Sequence, residues 1–108
     1  MKFTNSNIIL SVIIPARNEV LYLRKAIDSI MSNGFDIAKL VIIIVDAMSN
    51  DKMKQIVNEL VEQYVNIKYF ENKKIFTPYG LNIGIENAIG KYIMLFVLIQ
   101  ILRKITLI

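Results

Sequence analysis

Hydrophobic and polar positions along this chain fall into blocks with two alternating periods. Ile8 to Ile14 is β-branched and apolar on both faces, which predicts a buried strand ended by Pro15. The period then changes. Val20, Leu23, Ile27, Ile30 and Met31 recur at helical spacing, with Arg24, Lys25 and Asp28 on the other side and Gly34 as the closing residue. Leu40 to Val45 is a second continuous apolar run. A second helical stripe follows the capping residues Ser49, Asn50 and Asp51, through Met53, Ile56, Val57, Leu60, Val61 and Tyr64. Val65 to Phe70 predicts a third strand. Thr77-Pro78 predicts a helix start, cap then proline, for a helix carrying Leu81, Ile85 and Ala88 and ending at Gly90. Tyr92 to Leu98 predicts a fourth strand.

Strands joined through helices imply parallel pairing with right-handed crossovers. The predicted fold is therefore α/β: a Rossmann-like, mostly parallel four-stranded sheet with three helices, in a single domain over residues 1–108. Composition agrees. The chain is 55% hydrophobic with a mean hydropathy of +0.48, as strands buried on both faces require. Membrane association would raise the same figure. The longest apolar stretch, Ile93 to Leu102, is half of the roughly 20 residues that span a bilayer. Contact of Ile93 to Ile108 with a membrane surface is the expectation that stretch leaves open.

The net charge is +4, but the basic residues come in small groups: Arg24-Lys25, Lys52 with Lys54, and Lys73-Lys74. No basic run interleaved with aromatics exists, so nucleic acid is not the expected partner. A mild positive field suits a small anionic ligand. The absence of cysteine removes disulfides and thiolate chemistry, and the absence of histidine removes the commonest general base and metal ligand. No glycine-rich phosphate loop occurs, neither the dinucleotide fingerprint nor the P-loop.

Ligands of open parallel sheets sit beyond the carboxyl ends of the strands. Three polar groups fall there: Pro15-Ala16-Arg17-Asn18-Glu19, Asp46 with Ser49 to Asp51, and Asn72-Lys73-Lys74. Asp46 either accepts a hydrogen bond from a nucleobase or ribose, or folds back on its own turn. Glu19 either holds a ribose hydroxyl or favours a helix N-terminus through the dipole. Arg17 and Lys73 either meet phosphate or are solvated surface.

The segments Ser11-Val-Ile-Ile-Pro-Ala-Arg-Asn-Glu19, Val45-Asp-Ala-Met-Ser-Asn-Asp51 and Leu81-Asn-Ile-Gly-Ile-Glu-Asn-Ala-Ile-Gly-Lys-Tyr-Ile93 together resemble the signatures of family 2 glycosyltransferases, inverting enzymes of the GT-A fold. The methionine in the second turn and Phe76-Thr-Pro-Tyr-Gly-Leu-Asn82 are similar to members that build exopolysaccharides. The resemblance covers residues 8–96. It implies a nucleotide diphosphate sugar, of uridine type, as donor and a growing glycan as acceptor. It further implies that Pro15, Ala16, Glu19 and Asp46 hold the nucleoside and that Lys73 and Asn82 lie near the diphosphate. A cytoplasmic chain working at the inner face of the membrane is also implied.

The family ends its fourth strand with an acid that holds Mg²⁺ or Mn²⁺. Here the corresponding positions are Val97, Leu98 and Ile99, none of which offers the oxygen donor that a hard cation needs. No residue matches the family's catalytic base. Residues 97–108 follow no family pattern, as a truncation or a shift of reading frame would produce. The expectation is a nucleotide-binding part of a GT-A domain that does not catalyse transfer by itself.

Overall fold

The structure, a computed structural model, describes residues 7–98. Its elements are β1 (Leu10–Ala16), α1 (Val20–Met31), a 3₁₀ turn (Ile37–Lys39), β2 (Leu40–Asp46), α2 (Met53–Gln63), β3 (Ile67–Glu71), α3 (Thr77–Asn87) and β4 (Tyr92–Leu95). All strand pairs are parallel and the sheet order is β3-β2-β1-β4. The α/β reading therefore holds: four parallel strands and three helices.

The chain steps outward from β1 to β2 to β3, then returns across the sheet to β4 on the far side of β1. Crossovers of a single hand that run in opposite directions must place their helices on opposite faces. The packing shows this. Leu23, Ile27 and Ile30 of α1 and Met53, Val57 and Leu60 of α2 pack on Val12, Ile14, Ile42 and Ile44. Ile83 of α3 packs with Ala88 and Ile89 on the other face, against Ile13, Val41, Ile43 and Val45. Every residue of β2 is buried, which is why its sequence is continuously apolar up to Asp46.

Several local expectations shift. Pro15 lies inside β1, paired in register with Val45, and does not end the strand. Along a strand, residues two apart direct their backbone groups to the same side. The Ile13 carbonyl accepts from Phe96 N–H at 2.9 Å, on the β4 side. Pro15 thus lacks its N–H on that side, where β4 would continue. The proline ends the ladder to β4, which stops at Leu95 and not at the predicted Leu98. The crevice between β1 and β4 opens there.

α1 ends at Met31, before Gly34, although Gly34 does take φ +92°. Thr77 is the first residue of α3, not its cap; Phe76 holds that position. α3 ends at Asn87, before Gly90. Its buried face is not the predicted stripe, since Ile85 is 55% exposed while Gly80 and Gly84 are buried. A Cβ on Gly84 would lie 2.5 Å from Ile13 Cγ2, so the helix backbone rests directly on β1. Lys52 holds the cap position of α2 without a side-chain bond, and Asp51 before it accepts from Met53 N–H through Oδ1 at 2.9 Å.

No helix among the described residues is long and apolar enough to cross a membrane. Most of the segment expected to touch a membrane surface, residues 99–108, lies outside the described residues, as does Ile99 of the expected metal position.

Candidate functional site

The strand order reverses between β1 and β4, and at such a switch point the loops leave in opposite directions and a crevice remains. An open cleft of about 530 Å³ occupies it. Pro15, Ala16, Arg17 and Glu19 form one wall, and Val45 and Ala47 line the floor where β2 leaves the sheet. Asn72, Ile75, Phe76 and Thr77 come from the β3–α3 loop, Gly80 and Leu81 from α3, and Leu95, Val97 and Leu98 from the end of β4.

Four sequence-predicted residues line this cleft: Pro15, Ala16, Arg17 and Glu19. Glu19 precedes α1, but its side chain turns back, and Oε1 accepts from Arg17 N–H at 3.2 Å. Arg17 and Lys73 are exposed, and neither makes an ion pair among the described residues. Lys73 and Asn82 do not line the cleft.

Asp46 does not line it either. Val45 belongs to the α3 face of β2, so Asp46 shares the opposite face with Ile42 and Ile44. It is 3% exposed. Its Oδ1 accepts from the Ser49 N–H at 3.0 Å and from the Ser49 hydroxyl, and Oδ2 accepts from the Tyr69 hydroxyl at 2.6 Å. The turn-forming bonds of Asp46 are thus present in the fold.

That turn is tied to its neighbour. Asn18 N–H donates to Ser49 Oγ at 2.8 Å, and Asn18 Oδ1 accepts from Asn50 N–H at 2.8 Å. A chain of bonds therefore runs Asn18–Ser49–Asp46–Tyr69 and joins both loops to β3. Asn18 and Met48 adopt φ of +52° and +57°, one left-handed residue in each loop. The third loop has its own brace in Asn72, 2% exposed. Asn72 Oδ1 accepts from Lys74 N–H at 3.2 Å, and Nδ2 donates to the Phe76 carbonyl at 3.0 Å. Sequence reasoning gave no role to Tyr69 or Phe76. Tyr69 sits mid-strand and reads as an ordinary β residue, because its partner is 23 positions away.

Burial, the hydrogen bond to Asp46 and the negative charges of Asp46 and Glu71 push the Tyr69 phenol well above its ordinary value of 10.0. The fold thus favours the protonated phenol. That contribution is complete below the ordinary value and is lost as pH rises through the higher folded one. Tyr69 is expected to ionise late, together with alkaline unfolding. Titrating phenolate absorbance in the native chain and in Tyr69→Phe checks this. A late step that survives in Tyr69→Phe would assign it to another tyrosine.

The cleft suits a bound ligand and holds little chemistry of its own. Glu19 is its single carboxylate among the described residues, and Val97 and Leu98 supply no oxygen side chain. No group of three or more acids, histidines or cysteines lies close enough to hold a metal among the described residues. The donor set does not fit a divalent cation, which takes several oxygen ligands.

Comparison with known proteins places this geometry. The sequence profile of Glycosyl transferase family 2 matches residues 11–96. A Methanococcus voltae protein, dolichyl N-acetyl-alpha-D-glucosaminyl phosphate 3-beta-D-2,3-diacetamido-2,3-dideoxy-beta-D-glucuronosyltransferase, is 33% identical over 89 residues, covering 81% of this chain and 28% of its own length. Among solved structures, S. aureus TarS 1–349 superposes with a TM-score of 0.75 at 23% identity, over 83% of this chain and 27% of that one. TarS is also solved with UDP-GlcNAc. The mannosyltransferase PcManGT from Pyrobaculum calidifontis, in complex with GDP-Man and Mn²⁺, superposes with a TM-score of 0.67 at 23% identity, over 73% and 24%. The chain thus spans less than a third of each of these proteins. Its residues 11–96, its three signature segments and its α/β sheet together make it a member of glycosyltransferase family 2.

Proposed function

We propose that this chain binds the nucleoside diphosphate portion of a sugar donor, of uridine type, in the cleft at the β1–β4 switch point. The observation that carries the reading is the position of that cleft: the first signature segment supplies one wall of it, and the second and third supply floor and helix residues. TarS, solved with UDP-GlcNAc, supports the same ligand class. Arg17 would meet the diphosphate, since it is exposed at the cleft wall and pairs with no acid among the described residues. The braced loops hold the cleft walls before the ligand arrives, which lowers the ordering cost of binding.

Transfer to a glycan acceptor asks for more than residues 7–98 offer. It needs a carboxylate to take the acceptor hydroxyl's proton and charge neutralisation on the departing diphosphate. With Glu19 as the sole cleft acid, we infer binding without turnover and no cation site within these residues. Calorimetry of the 108-residue chain with uridine diphosphate is the test. Saturable binding is expected, weakened roughly three- to tenfold by Arg17→Ala, and Mg²⁺ should leave the site's occupancy unchanged. Release of sugar or formation of glycosylated product from UDP-GlcNAc would overturn the inactive reading. No heat from any nucleotide would overturn the site itself.

A further inference from the structure

Phe76 lies on the cleft wall, outside the core. Its side chain is 70% exposed, and it joins neither of the two apolar clusters, whereas Phe70 and Phe96 both pack on them. A ring presented on a cleft wall is available to a ligand.

The backbone around that ring is heavily constrained. The Phe76 carbonyl accepts from Asn72 Nδ2 at 3.0 Å, from Tyr79 N–H at 3.1 Å and from Gly80 N–H at 3.4 Å. Its own N–H donates to the Lys74 carbonyl at 2.8 Å. The residue before it, Ile75, takes φ +70°, a region that β-branched residues rarely enter. Asn72, which supplies the first of these bonds, is itself buried. Such a conformation persists only when its surroundings over-determine it, and these cluster at ligand sites. The main chain is fixed and the ring it presents is free.

We propose that Phe76 is the stacking platform for the nucleobase of the bound nucleotide. The inference rests on the nucleotide-binding reading and adds to it how the base is held. The charged lining residues, Arg17 and Glu19, follow β1 and suit phosphate and ribose hydroxyls, while Val45, Ala47, Ile75 and Phe76, beside Asn72 and Thr77, offer apolar surface to a flat ring. The floor residue where β2 leaves the sheet is Ala47, and Asp46 beside it is committed to Ser49 and Tyr69. Stacking draws on the π-face, which every nucleobase shares. Stacking by itself should discriminate only weakly between uracil and adenine.

The chain has no tryptophan, so Phe76→Trp introduces a single indole reporter. Stacking predicts that its emission is quenched by uridine and adenosine diphosphates and unchanged by inorganic pyrophosphate. Phe76→Ala should weaken both nucleotides roughly tenfold to a hundredfold and leave pyrophosphate affinity as it was, while Phe76→Trp retains nucleotide affinity. Unchanged nucleotide binding in Phe76→Ala would overturn the platform and leave the nucleotide site standing. So would an equal loss for pyrophosphate, or a loss seen for UDP-GlcNAc and not for uridine diphosphate. Failure of the unsubstituted chain to bind any nucleotide would overturn both.

Discussion

Asp46→Ala is expected to cost about 2–4 kcal/mol of folding stability, in a residue whose sequence position suggests a ligand contact. Asp46 is 3% exposed, and its two oxygens accept from Ser49 and from the Tyr69 hydroxyl. Truncation leaves the Tyr69 hydroxyl and the Ser49 N–H without an acceptor inside the fold. Each such loss costs about 1–3 kcal/mol, and more when the lost acceptor was charged. Both partners are only half-buried, so water recovers part of it. Urea unfolding should show a lower midpoint with the slope unchanged. Tyr69→Phe should cost less, since it leaves Asp46 its Ser49 bonds, and the double variant should cost less than the sum of the two. A loss below about 1 kcal/mol for Asp46→Ala would mean that the carboxylate is solvated. The same substitution should loosen the turn bearing Ala47 and the loop that Asn18 ties to it, so nucleotide affinity falls with it.

Gly84→Ala is the second large effect, and its sign carries the information. In an exposed helix interior this change stabilises by about 1 kcal/mol, because alanine restricts the unfolded chain and favours the helix. Here the new methyl would lie 2.5 Å from Ile13 Cγ2 and 3.0 Å from its Cδ1. Ile13 is 2% exposed in the middle of β1, so it has nowhere to go. Either α3 lifts or Ile13 leaves its rotamer, and overpacking of that kind costs about 1–3 kcal/mol. The expected outcome is a net loss, read as a lower thermal midpoint. Combining it with Ile13→Ala removes the clashing methyl, so the pair should cost less than the two changes added. A stabilised Gly84→Ala chain would show that α3 does not rest on β1 as closely as the structure has it. Because Gly80 and Leu81 of α3 line the cleft, a lifted helix also widens the nucleotide site.

Much of this architecture is legible in the order of residues alone. The continuous apolar runs Ile8 to Ile14 and Leu40 to Val45 announce strands buried on both faces, because only a sheet covered by helices on each side needs them. The stripes of α1 and α2 name their own buried residues: Leu23, Ile27 and Ile30, then Met53, Val57 and Leu60. The α3 stripe misleads, because a helix that approaches a sheet through Gly80 and Gly84 hides its contact face from a hydrophobicity pattern. Pro15 misleads in another way. Its missing N–H acts on the neighbouring strand, and which strand neighbours it is not a local property.

The alternation of strands and helices and the three segments that carry family membership are each encoded within a short stretch of residues, and the alternation implies the parallel sheet. Which of those residues meet at the cleft follows from the order in which the strands assemble. The return of the chain from β3 to β4 puts α3 and the cleft on one face of the sheet, with Val45 and Ala47. Parity then turns Asp46 to the other face, toward a tyrosine 23 residues away. Such choices depend on strand order and on which side of the sheet the chain crosses, and no short stretch of sequence contains either.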